Sequence, residues 1–166
     1  MSLRSDSLAI FRAGLKAADP VHSVRQALKK FPKGRVWVIG AGKASARMAL
    51  AAEQTLGSQI AGGLINTKDD HLAKLRRIEL NECSHPVPDE RGMNGARRIA
   101  EIAKAATKDD IVLCLISGGA SALMPLPIDG VSLQRKQQIT RELLASGATI
   151  HEINCVRKHL SLLKGG

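Results

Sequence analysis

Aromatic side chains are nearly missing from this 166-residue sequence, which holds two Phe, one Trp and no Tyr. Recognition of single-stranded nucleic acid depends on rings that stack bases, so that class of function loses its main chemical support. Cysteine is scarce too. Cys83, Cys114 and Cys155 are far apart, odd in number and form no Cys-x-x-Cys pair. They are expected as reduced, mostly buried thiols of a cytoplasmic protein, not as a disulfide framework. Cys83-Ser84-His85 offers too few ligands, too close together, for zinc. No apolar run approaches the roughly 20 residues of a membrane span. The start, Met1-Ser2-Leu3-Arg4-Ser5-Asp6, lacks the basic-then-apolar order of a secretory signal.

Positive charge is what the sequence has in excess. It carries 25 Lys and Arg against 15 Asp and Glu, a formal net charge of +10. The basic residues are scattered, with the densest groups at Lys29-Lys30-Lys33-Arg35 and Lys74-Arg76-Arg77. Such scatter reads as solvated helix and loop faces, and no nucleic-acid partner is expected. Two other readings of the charge remain open: anionic small-molecule substrates, or compensating acid in a part of the protein outside this chain. The apolar share of 44% and charged share of 24% are those of an ordinary globular protein, and the length suits one domain.

Helix and strand patterns alternate. Leu8, Phe11 and Leu15 recur at helical spacing, predicting an amphipathic first helix that ends near Asp19-Pro20. Asp19 caps and Pro20 starts a second helix to about Phe31. Arg35 to Gly40 is a β-rich run stopped by glycine, followed by an Ala-rich helix from about Lys43 to Leu56. Ile60 to Asn66 and Arg77 to Leu80 read as strands. Ala96, Ile99, Ala103 and Ala106 line one face of a helix. Ile111 to Ile116 is uninterrupted and apolar, as expected of a strand covered on both faces. Ser132 caps a helix reaching Ala145, and Cys155 to Leu163 reads as the start of a final one. Strands joined by helical crossovers predict a three-layer α/β/α, Rossmann-like domain with a mostly parallel sheet.

Open parallel sheets bind ligands beyond the C-terminal ends of their strands, and two such exits carry unusual sequence. Gly40-Ala41-Gly42-Lys43-Ala44-Ser45 puts glycines and a lysine at a helix start, where N–H groups favour an anion. As a dinucleotide fingerprint it has Ser45 at the third glycine position, and Asn66-Thr67-Lys68 supplies no acid for a ribose. A Walker A loop would need Gly at Trp37 and Ser or Thr at Ala44. The second exit, Ser117-Gly118-Gly119-Ala120-Ser121, offers two hydroxyls and a flexible run of N–H donors. It fails the last position of a hydrolase elbow. A plain turn and an anion nest fit its spacing equally. The run Asn154 to His159, followed by Lys164-Gly165-Gly166, is a third candidate, in which adjacent Arg157 and Lys158 at a helix start could clamp phosphate; taken alone, the stretch reads as a solvated face. His85 and Asp89 lie in a proline-stiffened loop and read either as a base with its orienter or as a rigid turn.

GAGKAS at Gly40–Ser45, HPVPD at His85–Asp89, SGGASAL at Ser117–Leu123 and NCVRKHLSLLKGG at Asn154–Gly166 together resemble the glycerate 2-kinase family. Its C-terminal half is the MOFRL domain, and its members are often labelled hydroxypyruvate reductase. The resemblance implies that residues 1–166 are the N-terminal α/β domain of a larger two-domain enzyme, with the C-terminal domain absent from this chain. It implies transfer of the γ-phosphoryl of ATP, with Mg²⁺, to the 2-hydroxyl of D-glycerate in a cleft between the domains. Lys43 would face the transferred phosphoryl as the catalytic residue. Gly40, Gly42, Ser117, Gly118, Gly119, Ser121, Asn154, Arg157 and Lys158 would line the same cleft around substrate and phosphate, and no metal ligand is assigned. In the family the KGG segment leads into a long continuation, so this chain alone is expected to be inactive. The alternative is an NAD(P)-dependent hydroxypyruvate reductase. Assembly into homo-oligomers is left open.

Overall fold

The computed structural model describes residues 2–165; Gly166 of the terminal KGG lies outside them. Four strands form one sheet: β1 (Arg35–Ala41), β2 (Ile60–Lys68), β3 (Glu79–Cys83) and β4 (Asp110–Ile116). They are all parallel, in the order β3-β2-β1-β4. Helices α1 (Leu3–Ala17), α2 (Pro20–Ala27), α3 (Ser45–Leu56), α4 (Glu90–Ala105), α5 (Ala120–Leu123), α6 (Leu133–Ala145) and α7 (Ile150–His159) complete the fold.

Period-two alternation in the strands divides the core into two layers. Val36, Val38 and Ile65 face Ala49, Ala52 and Leu56 of α3, with Val24 of α2 behind. Ile39 and Leu64 point the other way, towards Ile99 of α4. The expected three-layer α/β/α domain is therefore present, with a wholly parallel sheet. Small alanines on α3 let the helix lie close to the sheet, and burial of such apolar surface contributes about 25 cal/mol per Å².

Several expectations are corrected. Strand β4 is not covered on both faces. It is the sheet edge, and α4 packs on β1 to β3, so Val112 and Ile116 stay 38% and 48% exposed while Leu115 is buried. Helix α1 forms, with Ser2 and Ser5 making a capping box, but buries no residue; its Leu8, Phe11 and Leu15 meet no core. Only Cys83 is buried, whereas Cys114 and Cys155 are exposed. The third strand runs from Glu79 to Cys83 rather than from Arg77 to Leu80. The last helix starts at Ile150, because Thr149 and Glu152 form a capping box. Arg157 and Lys158 therefore sit in its final turn, not at its start.

Candidate functional site

The turns leaving β1 and β4 lie side by side because their strands are neighbours, with Gly40 opposite Leu115 and Ala41 opposite Ile116. They are also bonded to each other. The Lys43 N–H donates to the Gly118 carbonyl at 2.9 Å, and the Ser117 N–H to the Ala41 carbonyl at 3.1 Å. The Ala44 N–H donates to Ser117 Oγ at 3.0 Å, and Ser45 Oγ lies 3.2 Å from the same hydroxyl. A Cβ on Gly42 would collide with Ser117 Oγ, so the interlock leaves space only for glycine at that position.

This bonding decides which donors remain for a ligand. The N–H groups of Gly42, Lys43, Ala44 and Ser45 are directed at Asn66 O, Gly118 O, Ser117 Oγ and Gly42 O respectively. The N–H groups of residues 42–45 are thus turned inward, with Ser117 as the clasp, whereas those of Ala46 and Arg47 in the first turn of α3 have no acceptor among the described residues. Those of Gly118 and Gly119 also have no acceptor among the described residues. Gly119, in the left-handed region at φ 93°, lets the chain reverse into α5. Gly40 and Gly42 are buried and Lys43 is exposed, so the lysine stands out of a closed turn.

His85 completes this end of the sheet. A Cβ placed on Gly119 would lie 3.0 Å from the His85 ring and 3.3 Å from Cγ of Lys43, so these three residues converge. Partial burial, followed by the charges of Lys43 and Lys68, pushes the His85 pKa below its usual range. Its neutral imidazole is therefore favoured at neutral pH. Asp89 is not its orienter. The Asp89 carboxylate caps α4 through the Gly92 N–H at 2.9 Å and holds Arg91 at 2.7 Å. Arg91 in turn binds Asp69, whose pKa it lowers. Burial pushes the Cys83 thiol up to about 12, which makes it an inert packing group.

Ser121 connects this turn to the end of the chain. Arg157 donates to Ser121 Oγ at 2.7 Å, and Lys164 donates to the Ser121 carbonyl at 2.8 Å. Lys158 and Asn154 are exposed on α7, with Asn154 one turn before the cations. The structure thus gathers Gly40, Gly42, Lys43, Ser117, Gly118 and Gly119 at one place and joins Arg157 to it through Ser121. Lys136 was absent from the expected site, and Lys164, part of the third candidate stretch, was not among the residues expected to line the cleft. The signal for Lys136 was its spacing: it follows Leu133 by three residues on the same helix face, and both are buried.

Among the described residues no group of three or more His, Cys, Asp or Glu is placed to hold a metal ion. Among the same residues no helix is long and apolar enough to cross a membrane. A cleft of about 420 Å³ near Glu53 and Arg76 lies at the opposite, N-terminal end of the strands. There the Glu53 carboxylate accepts the N–H groups of Arg76, Arg77 and Ile78, which accounts for it structurally.

Comparison with known proteins adds to this geometry. A family described as a domain of unknown function (DUF4147) matches residues 6–166. D-glycerate 2-kinase of Thermotoga maritima is 43% identical over 99% of this chain, and a putative hydroxypyruvate reductase of Agrobacterium vitis is 43% identical over all of it. The crystal structure of glycerate kinase from Thermotoga maritima superposes with a TM-score of 0.92 at 42% identity, covering 99% of this chain and 40% of that one. The chain spans about 40% of the length of the curated relatives it matches.

Proposed function

Since the chain belongs to the DUF4147 family, we propose that it is the N-terminal part of an ATP-dependent glycerate 2-kinase that converts D-glycerate to 2-phosphoglycerate. The observation that carries the reading is the interlocked pair of turns, which presents one exposed lysine over a rigid, small-residue floor. Phosphoryl transfer asks for positioning and charge neutralisation more than covalent chemistry. Lys43 would neutralise charge on the transferring phosphoryl, and the free N–H groups of Gly118 and Gly119 would donate to its oxygens. His85, whose lowered pKa favours the neutral ring beside Lys43, would take the proton of the attacking hydroxyl. Relatives named for glycerate kinase activity support the substrate class.

ATP would act as phosphoryl donor. Mg²⁺ would neutralise its phosphates, but no donor set for the ion is built by the described residues. Its ligands would come from the nucleotide and from the remaining length of the protein, so no step here is routed through the metal. On this reading the chain alone would be inactive, since it spans about 40% of the length of the glycerate kinases it matches. The reductase alternative finds less support. The place where a dinucleotide site would carry an acid has Asn66, Thr67 and Lys68, and Asn66 is committed to Gly92 and Leu123.

The test compares two assays on the intact protein. ADP release that depends on D-glycerate is expected, with no oxidation of NADH or NADPH by hydroxypyruvate. The converse result would replace the kinase by the reductase.

A further inference from the structure

Lys136 is 5% exposed, on α6, and its ammonium donates to the Leu160 carbonyl at 2.6 Å. Arg157 and Lys164 converge on Ser121 from the end of α7 and the segment after it. None of the ion pairs among the described residues includes Lys136, Arg157 or Lys164. Three half-buried or buried cations sharing one neighbourhood without a carboxylate are costly unless something compensates them. The C-terminal dipole of α7 offers the equivalent of only about half a negative charge, against three positive ones. Each cation also has N–H groups to spare, since each spends a single donor on a protein acceptor and ammonium and guanidinium carry three and five.

We propose that Lys136, Arg157 and Lys164 form a pocket for a phosphate dianion; Lys164 also lines a cleft of about 300 Å³ beside Lys158 and His159. A doubly charged tetrahedral group matches three donors better than a singly charged carboxylate does. Burial, reinforced by the neighbouring cations, brings Lys164 down to about 7 and Lys136 down to about 8, so both are partly neutral at pH 8. A bound dianion draws them back to the charged state, and binding takes up protons. Lys158 and His159 from α7 are the other charged or titratable groups facing the cleft. That the phosphate belongs to the nucleotide or to the phosphorylated product rests on the kinase reading; the pocket itself does not.

The test is calorimetric titration of the intact protein with orthophosphate at pH 8, in two buffers of different ionisation enthalpy and without nucleotide. Orthophosphate binding with net proton uptake is expected. Lys164→Met and Arg157→Gln should each weaken it by roughly tenfold or more, the scale of one charged hydrogen bond, and Lys164→Met should lower the proton uptake. Lys104→Gln, on the exposed side of α4, should change neither. Unchanged affinity in both pocket variants, or acetate binding as tightly as phosphate, would overturn the proposal. Failure of glycerate-dependent ADP release would refute the kinase and leave this titration standing, so the two readings fail separately.

Discussion

The N–H of Lys43 donates to the carbonyl of Gly118 across 2.9 Å, joining two turns that are 75 residues apart in the chain. This bond fixes the backbone from which the lysine side chain projects, while Ser117 holds the adjacent residue, Ala44. The charge is free to reach a ligand because the amides beneath it are already satisfied.

Substitution Gly42→Ala tests that interlock. The new Cβ would strike Ser117 Oγ, and φ of 141° is unfavourable for any L side chain. The expected loss is about 2–4 kcal/mol of stability, read from the shift in denaturant midpoint. A midpoint within experimental error of the wild type would show that the turns are not locked together.

Asn66 anchors the floor of the same region. Its amide donates to the Gly92 and Leu123 carbonyls at 2.9 and 2.7 Å and its oxygen accepts from Asn81 at 2.9 Å, tying β2 to β3, α4 and α5. Asn66→Ala leaves those partners unpaired in a buried place, and each such group costs about 1–3 kcal/mol. Equilibrium unfolding should report a loss of about 3 kcal/mol or more. A loss below about 1 kcal/mol would mean that water replaces the side chain.

His85 sets a pH expectation. Its pKa is lowered by burial and by Lys43, so the neutral form persists below the ordinary value of 6.5. Activity in kcat/KM should fall only as pH drops below that value. His85→Gln should lower kcat roughly 10²–10⁴-fold and remove that limb. An unchanged acid limb in the variant would exclude His85 as the proton acceptor.

The lysine pocket sets another, in stability. Lys164 and Lys136 have folded pKa values of about 7 and about 8, against 10.5 when solvated. Between these limits the unfolded chain binds more protons than the folded one, so stability rises with pH from about 7 towards 10. Thermal midpoints measured from pH 7 to pH 9.5 should climb, and Lys164→Met should flatten the climb. A slope identical in wild type and variant would show that Lys164 carries its charge without cost.

Local patterns announced the elements around the site. The run RVWVIG and its glycines marked β1 and its exit, and IVLCLI followed by Ser117-Gly118-Gly119 marked the second exit. What joins them is not local: the Ala44–Ser117 bond spans 73 residues. The convergence of His85 on Gly119 is equally invisible in spacing. Coverage of β4 and α1 was misjudged because apolar pattern reports what a face prefers to meet, not whether this chain provides it. The start of α7 was legible in Thr149 and Glu152, and recognising that box would have put Arg157 at the helix end beside Lys164.

Glycerate-dependent ADP release by the intact protein and its Lys43→Ala variant tests the central claim most directly. Lys43 is exposed, so the variant should keep the wild-type unfolding midpoint. Turnover should fall roughly 10³-fold or more, as when a cation contacting the transferring phosphoryl is removed. Near-normal turnover in a folded variant would contradict the account.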